Sequence, residues 1–206
     1  MKQEKKEIKA IFFDIGGVLY NESVSLTDKK KFEKRFNIPF SIYQKVVWKH
    51  VPLAQKNKIP IKTYFQKISR ELNLNKKDLI NNYKKTREKS IKLKRDVEKT
   101  IIKLKKNYLI GTLTNIILFN HKLRLKKKSY KQFKIRLISC KEGLRKPDIR
   151  FYRLMIKRAK VSPETIVFID DEEKMLIPAK KLGINTILFK NNKQLIKDLK
   201  KLEVEI

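Results

Sequence analysis

The sequence predicts an α/β protein, a Rossmann-like parallel sheet flanked by helices, with an all-helical insertion after the first strand. Three observations predict it. Short β-branched or aromatic runs recur at residues 8–13, 108–113, 135–138, 166–169 and 186–189, each followed by a turn or a helical stretch. Such alternation marks parallel strands covered by helices. Residues 21–95 carry no strand-like run, and their apolar positions fall at helical spacing, as in "TYFQKISREL" and "KKDLINNYKKT". Polar residues also stand at the ends of the strand runs, where an open parallel sheet binds its ligands. The expected division is a core of residues 1–20 and 96–206 and a helical insertion of residues 21–95.

The elements follow in order. Residues 8–13 are apolar at all but one position and stop at Asp14, followed by Ile15, Gly16 and Gly17. In the insertion, Pro39, Pro52 and Pro60 punctuate the helical texture, and Asn75 in "NLNKKDL" is a cap for the helix after it. The second strand run is followed by Thr114 and Asn115. Beyond the third, "KEGLRKPD" carries Lys146, with Pro147 stiffening the turn. The fourth is followed by Asp170 and Asp171, and Pro178 then sits in the first turns of the next helix or kinks it.

Composition sets the outer limits. The chain has 206 residues, enough for a substantial core. Its single cysteine, Cys140, cannot form an internal disulfide, and no run has the length of a membrane span or a secretory pattern, so a reducing cytoplasm is expected. The 53 Lys and Arg against 21 Asp and Glu give a net charge of +32, enough to attract polyanions non-specifically. Lysines are spread along the whole chain, however, as compositional bias would produce. The densest run, "KLRLKKKSYKQFK" at residues 122–134, reads as a solvated helix face. It has few aromatics to stack on bases and no zinc or RNP-type motif. No motif sets an oligomeric state.

A single Asp after a strand is commonly a cap or a turn former. Convergence of Asp14, Thr114, Asn115, Lys146, Asp170 and Asp171 at one sheet edge is different. Asp14 with Asp170 or Asp171 offers a hard oxygen site suited to Mg²⁺, which takes a few carboxylates together with water and substrate phosphate. A carboxylate beside that ion can attack phosphorus. Glycines next to it let backbone groups approach closely. Thr114 offers a hydroxyl to a phosphate oxygen, Asn115 an amide, and Lys146 a fixed positive charge.

Four ordered segments, "FFDIGGVL", "GTLTN", "SCKEGLRKPD" and "IVFIDDEEKMLIPAKKLGINTILF", together resemble the haloacid dehalogenase-like hydrolase superfamily over essentially the whole chain. Within it, the sequence is similar to the branch of glucose-1-phosphate phosphatases and the phosphatase domain of soluble epoxide hydrolases. The resemblance implies that Asp14 is the nucleophile and forms an aspartyl-phosphate. It implies that Mg²⁺ is held by the Asp14 carboxylate, the Gly16 backbone carbonyl and Asp171. Thr114 and Asn115 would bind phosphate oxygens, and Lys146, oriented by Asp170, would screen charge. The insertion resembles that branch's cap, which closes over the substrate. The implied substrate is a small phosphorylated metabolite.

Two positions depart from the superfamily pattern. Most of its phosphatases have a second aspartate two residues after the first, acting as general acid and then base; here that position is Gly16. The resembling glucose-1-phosphate phosphatases include the same glycine. Without the acid, either the substrate has a good leaving group, such as an anomeric or acyl phosphate, or another residue supplies the proton, or turnover is slow. Glu22 is one substitute, although an exposed loop residue is its simpler reading. Met175 stands where Asn is common after the paired acids. In the cap, Trp48 and Tyr43 are expected to pack in its core and His50 to lie at the surface.

Two other classes compete with the phosphatase. A hydrolytic dehalogenase would share Asp14 but would not need Asp170 and Asp171 to hold magnesium. A weak or inactive protein of the same fold, binding anionic partners such as RNA, would account for Gly16 and the charge.

Overall fold

The computed structural model describes residues 6–206. Its centre is a parallel sheet of five strands: β1 (Ala10–Phe13), β4 (Leu109–Thr114), β5 (Ile135–Ile138), β6 (Ile166–Asp170) and β7 (Asn185–Leu188). They lie in the order β5-β4-β1-β6-β7. The chain runs outward from β1 through β4 to β5, then returns to lay β6 on the other side of β1. That reversal puts the carboxyl ends of β4, β1 and β6 side by side. In register, Phe13 pairs with Thr112 on one side and with Ile169 on the other.

Strand β1 is buried on both faces because side chains alternate. Ile11 and Phe13 enter one core with Val97, Ile101, Leu195 and Leu199. These come from α5 (Arg95–Leu104) and α10 (Asn192–Lys201). Ala10 and Phe12 enter the other core with Phe151, Tyr152, Met155 and Leu176. Those belong to α8 (Ile149–Ala159) and α9 (Glu173–Lys181). Gly111 of β4 is needed by this packing, since a Cβ there would stand 2.2 Å from the Phe12 ring.

Between β1 and α5 the chain forms four helices: α1 (Leu26–Phe36), α2 (Phe40–Gln55), α3 (Ile61–Glu71) and α4 (Lys76–Ser90). They have an apolar cluster of their own, with Phe32, Phe40, Tyr64, Phe65 and Ile68 at its centre. Asn75 caps α4 as the sequence predicts, its side chain accepting from the amides of Lys77 at 2.9 Å and Asp78 at 3.2 Å. Pro39 and Pro60 precede α2 and α3, but Pro52 lies inside α2 and does not end it. The expectation of no strand between residues 21 and 95 is corrected. Tyr20–Asn21 (β2) and Lys92–Leu93 (β3) form an antiparallel ladder that ties the two ends of the insertion together. Two residues are too short a run to show periodicity.

Residues 122–134 are also less uniform than expected. Helix α6 (Leu118–Lys126) covers only the beginning, and Arg124, Ser129, Tyr130 and Phe133 are buried. The short α7 (Ser139–Glu142) follows β5 and ends at Gly143, whose φ of 69° is left-handed.

Candidate active site

Asp14 directly follows β1, its amide donating to the Ile169 carbonyl of β6 at 2.8 Å. Thr114 and Asp170 are the last residues of β4 and β6. Asp14, Asp170 and Asp171 each place one carboxylate oxygen within 4.8 Å of the others. The predicted acids therefore meet at one edge of the sheet.

Lys146 reaches this cluster from the loop between α7 and α8. Its ammonium donates to Asp170 Oδ2 at 2.5 Å and stands 3.2 Å from Asp14 Oδ1, with Lys146 and Asp170 both almost wholly buried. Burial alone would lower the Lys146 pKa, but Asp14 and Asp170 outweigh it and hold the ammonium above its ordinary value. Burial pushes Asp170 up to about 6 against the pull of Lys146, with Asp14 adding to the push. Asp171 is raised too, by burial first and by Asp14 next. The site thus holds more negative charge than one lysine neutralises.

Backbone groups fix these side chains. Asp170 Oδ1 accepts from the Glu172 amide at 2.9 Å. Gly17 has a φ of 75°, and a Cβ there would stand 1.9 Å from Asp171 Oδ2. Only glycine leaves room for that carboxylate. Met175, where Asn was the expected support, is held through its backbone: its carbonyl accepts from the buried Tyr152 hydroxyl at 2.5 Å. Asn115 is joined to the Lys146 backbone by two hydrogen bonds. The buried Cys140 has its thiol raised by burial, which makes it a poor nucleophile.

The donor set fits a hard divalent cation. Three carboxylates converge, and the buried Asp14 Oδ1 has the Lys146 ammonium 3.2 Å away. Three acids facing one ammonium leave negative charge that a hard divalent cation would offset.

Glu22 corrects the exposed-loop expectation. Its side chain is largely buried, and its Oε1 accepts from Arg124 through both Nε, at 2.9 Å, and Nη2. Arg87 Nη2 lies 3.5 Å from its Oε2. Sequence reasoning missed Arg124 and Arg87. The one available signal was chemical: Arg124 interrupts a lysine-rich run between Leu123 and Leu125, and arginine suits buried ion pairs better than lysine.

Two cavities adjoin at this pair. The one holding Asp14, Lys146, Asp170 and Asp171 measures about 620 Å³. A second, of about 230 Å³, lies beneath α2 and α4 beside Tyr43 and Tyr83. Trp48, expected in the core, is 60% exposed and lines both. Tyr43 packs within the helical cluster as expected. The His50 ring, itself mostly buried, pairs with Glu71 at 2.8 Å on the side of α2 facing α3.

Fold and site together define an α/β protein of the doubly wound type with a cluster of carboxylates at a parallel-sheet edge. Residues 11–189 match the family described as haloacid dehalogenase-like hydrolase, and the chain belongs to that family. It is 38% identical over 63 residues to bifunctional epoxide hydrolase 2 of Sus scrofa, a stretch covering 31% of this chain and 11% of that protein. A HAD family enzyme of Bacteroides thetaiotaomicron, solved in complex with magnesium and inorganic phosphate, superposes with a TM-score of 0.72 at 21% identity, covering 89% of this chain and 94% of that one. A HAD-like hydrolase of Porphyromonas gingivalis gives 0.76 at 17% identity, covering 98% and 100%. Among the described residues no helix is long and apolar enough to cross a membrane.

Proposed function

We propose that the protein is a Mg²⁺-dependent phosphatase acting on a small phosphomonoester through an aspartyl-phosphate on Asp14. The observation that carries this reading is the cluster of the Asp14, Asp170 and Asp171 carboxylates, with the Lys146 ammonium buried against Asp14 and Asp170. Asp14 and Asp171 carboxylates and the Gly16 carbonyl are the groups to hold the ion, which when bound neutralises phosphate charge and lets a carboxylate approach phosphorus. Asp14 is the nucleophile, held rigidly because β1 ends directly before it. Lys146, fixed by Asp170, offsets negative charge on Asp14 and on the transferring group. The Thr114 hydroxyl and the second amide hydrogen of Asn115 are the donors for phosphate oxygens.

Helices α1 to α4 serve as the cap over the substrate, with Trp48 at the mouth. A dehalogenase would leave three carboxylates crowded around one lysine without use, which favours phosphate. The basic surface steers anionic substrates inward, and a single buried cysteine suits a reducing cytoplasm. The test is phosphate release from acetyl phosphate, glucose 1-phosphate, sugar 6-phosphates and p-nitrophenyl phosphate with Mg²⁺ or EDTA. Release that needs Mg²⁺ and is lost in Asp14→Asn is expected. No release above that variant on any substrate overturns the reading and favours an anion-binding protein.

A further inference from the structure

Gly16 leaves a space beside Asp14, and the structure fills it from elsewhere in the chain. A Cβ on residue 16 would stand 3.3 Å from Arg124 Nη2 and 3.5 Å from Glu22 Oε2. Arg124 arrives from α6 and Glu22 from the loop after β2, so two remote residues meet where a side chain on residue 16 would lie. Arg124 is 2% exposed, yet it lines the cavity that contains Asp14. Its Nη1 donates to Thr114 Oγ1 at 3.3 Å, which places the guanidinium against a second residue of the site. Burial acts against its charge, while Glu22, Tyr130 and Asp14 raise its pKa.

The two members of the pair differ in what they offer a substrate. Glu22 is committed to two guanidinium groups and presents acceptor oxygens. Arg124 has five N–H groups on a rigid plane and cannot be deprotonated in any working range. Orienting such a plane by a carboxylate, beside a nucleophile and away from bulk water, is how a fixed charge becomes effective against charge that develops during reaction.

We propose that Arg124 is a catalytic residue that stabilises the departing oxygen as an anion, with Glu22 as its positioning residue. The assignment deepens the phosphatase reading and rests on it. In the first step an Asp14 oxygen bonds to phosphorus and the bond from phosphorus to the leaving oxygen breaks. The electron pair stays on that oxygen, which leaves as an anion beside the guanidinium and takes a proton from solvent afterwards. Water then attacks phosphorus, giving inorganic phosphate, the free Asp14 carboxylate and one proton to solvent. The substrates that suit this site are those whose leaving group is stable as an anion: acyl, anomeric or aryl phosphates rather than simple alkyl ones.

The test measures kcat/KM with Mg²⁺ for acetyl, p-nitrophenyl, phenyl and methyl phosphate in wild type, Arg124→Met, Arg124→Lys and Glu22→Gln. Each variant is first checked for its fold by circular dichroism. Removing one such donor typically costs about 10² to 10³ in rate when charge develops opposite it. For Arg124→Met, a loss of about 10²-fold on phenyl and methyl phosphate against less than about tenfold on acetyl phosphate is expected. Arg124→Lys should fall between, and Glu22→Gln, which removes the carboxylate that orients the guanidinium, should show the same leaving-group-dependent loss as Arg124→Met in weaker form. Equal losses on all four substrates in Arg124→Met overturn the assignment. So does a Glu22→Gln variant that loses its poor leaving groups while Arg124→Met keeps them, which would make Glu22 the proton donor. Wild type that releases phosphate from none of the four refutes the phosphatase reading itself, an outcome distinct from uniform losses.

Discussion

Asn115 and Lys146 hold each other through a closed pair of hydrogen bonds. The Asn115 side-chain amide donates to the Lys146 carbonyl at 2.9 Å, and the Lys146 backbone amide donates to Asn115 Oδ1 at 2.8 Å. The residue after β4 thereby sets the backbone position of the loop that delivers the ammonium to Asp14. Asn115→Ala should release that loop and, on the proposed function, lower kcat for phosphate release by about 10²-fold, the typical effect of a 1 Å misplacement near the reacting atoms. Near-UV circular dichroism should change little. A variant within about twofold of wild type would assign the Lys146 position to other contacts.

Gly17 and Asp171 are related by exclusion. With a φ of 75° and a Cβ position 1.9 Å from Asp171 Oδ2, Gly17→Ala must displace that carboxylate. Magnesium affinity, measured by titration calorimetry, should fall by about 10- to 100-fold, as for loss of an orienting partner at other metal sites. Stability should drop by about 1 kcal/mol or more from the backbone strain alone. Unchanged affinity would remove Asp171 from the ligand set.

Lys146 stabilises the protein by standing between two carboxylates, those of Asp170 and Asp14. Lys146→Met leaves Asp170 and Asp14 facing each other in a buried site, and breaking a buried pair in this way costs about 3 to 5 kcal/mol. Urea denaturation in EDTA at pH 7.5 should show that loss. At pH 5 it should be smaller, because Asp170, already pushed up to about 6 by burial, escapes the penalty by taking a proton. A loss independent of pH would mean that packing, and not charge, decides the effect.

The fold and most of the site were legible because their signals are local. The five strand runs need only neighbouring side chains, and Asp14, Thr114, Asp170 and Asp171 are placed by where those runs end. Asn75 capped its helix for the same reason. What was not legible depends on distant partners. Glu22 and Arg124 are 102 residues apart, and beyond an arginine standing between two leucines in a lysine-rich run nothing nearby marks the pair. Trp48 looked like core because tryptophan usually is, yet it stands at the mouth of the site. The β2–β3 ladder has two residues a side, too few for a pattern.

The carboxylate cluster should make magnesium stabilisation grow with pH. Asp170 has a folded-state pKa raised to about 6, so between roughly pH 4 and 6 the folded metal-free chain holds a proton that the unfolded chain has lost. The unfolded state then binds fewer protons, and metal-free stability falls as pH rises through that window. Asp171 is shifted the same way, while Lys146, held above its ordinary value, stays charged throughout. An ion bound by this cluster displaces those protons, so its affinity rises over the same range. At about 100-fold excess over its dissociation constant, a ligand adds about 2.7 kcal/mol. For a chain of this size that is a melting-temperature rise of about 5 to 10 °C. A shift of that order is expected with Mg²⁺ at pH 7.5, a clearly smaller one at pH 5, and none in Asp14→Asn at either pH. A shift that is the same at both pH values would show that magnesium acts elsewhere on the protein.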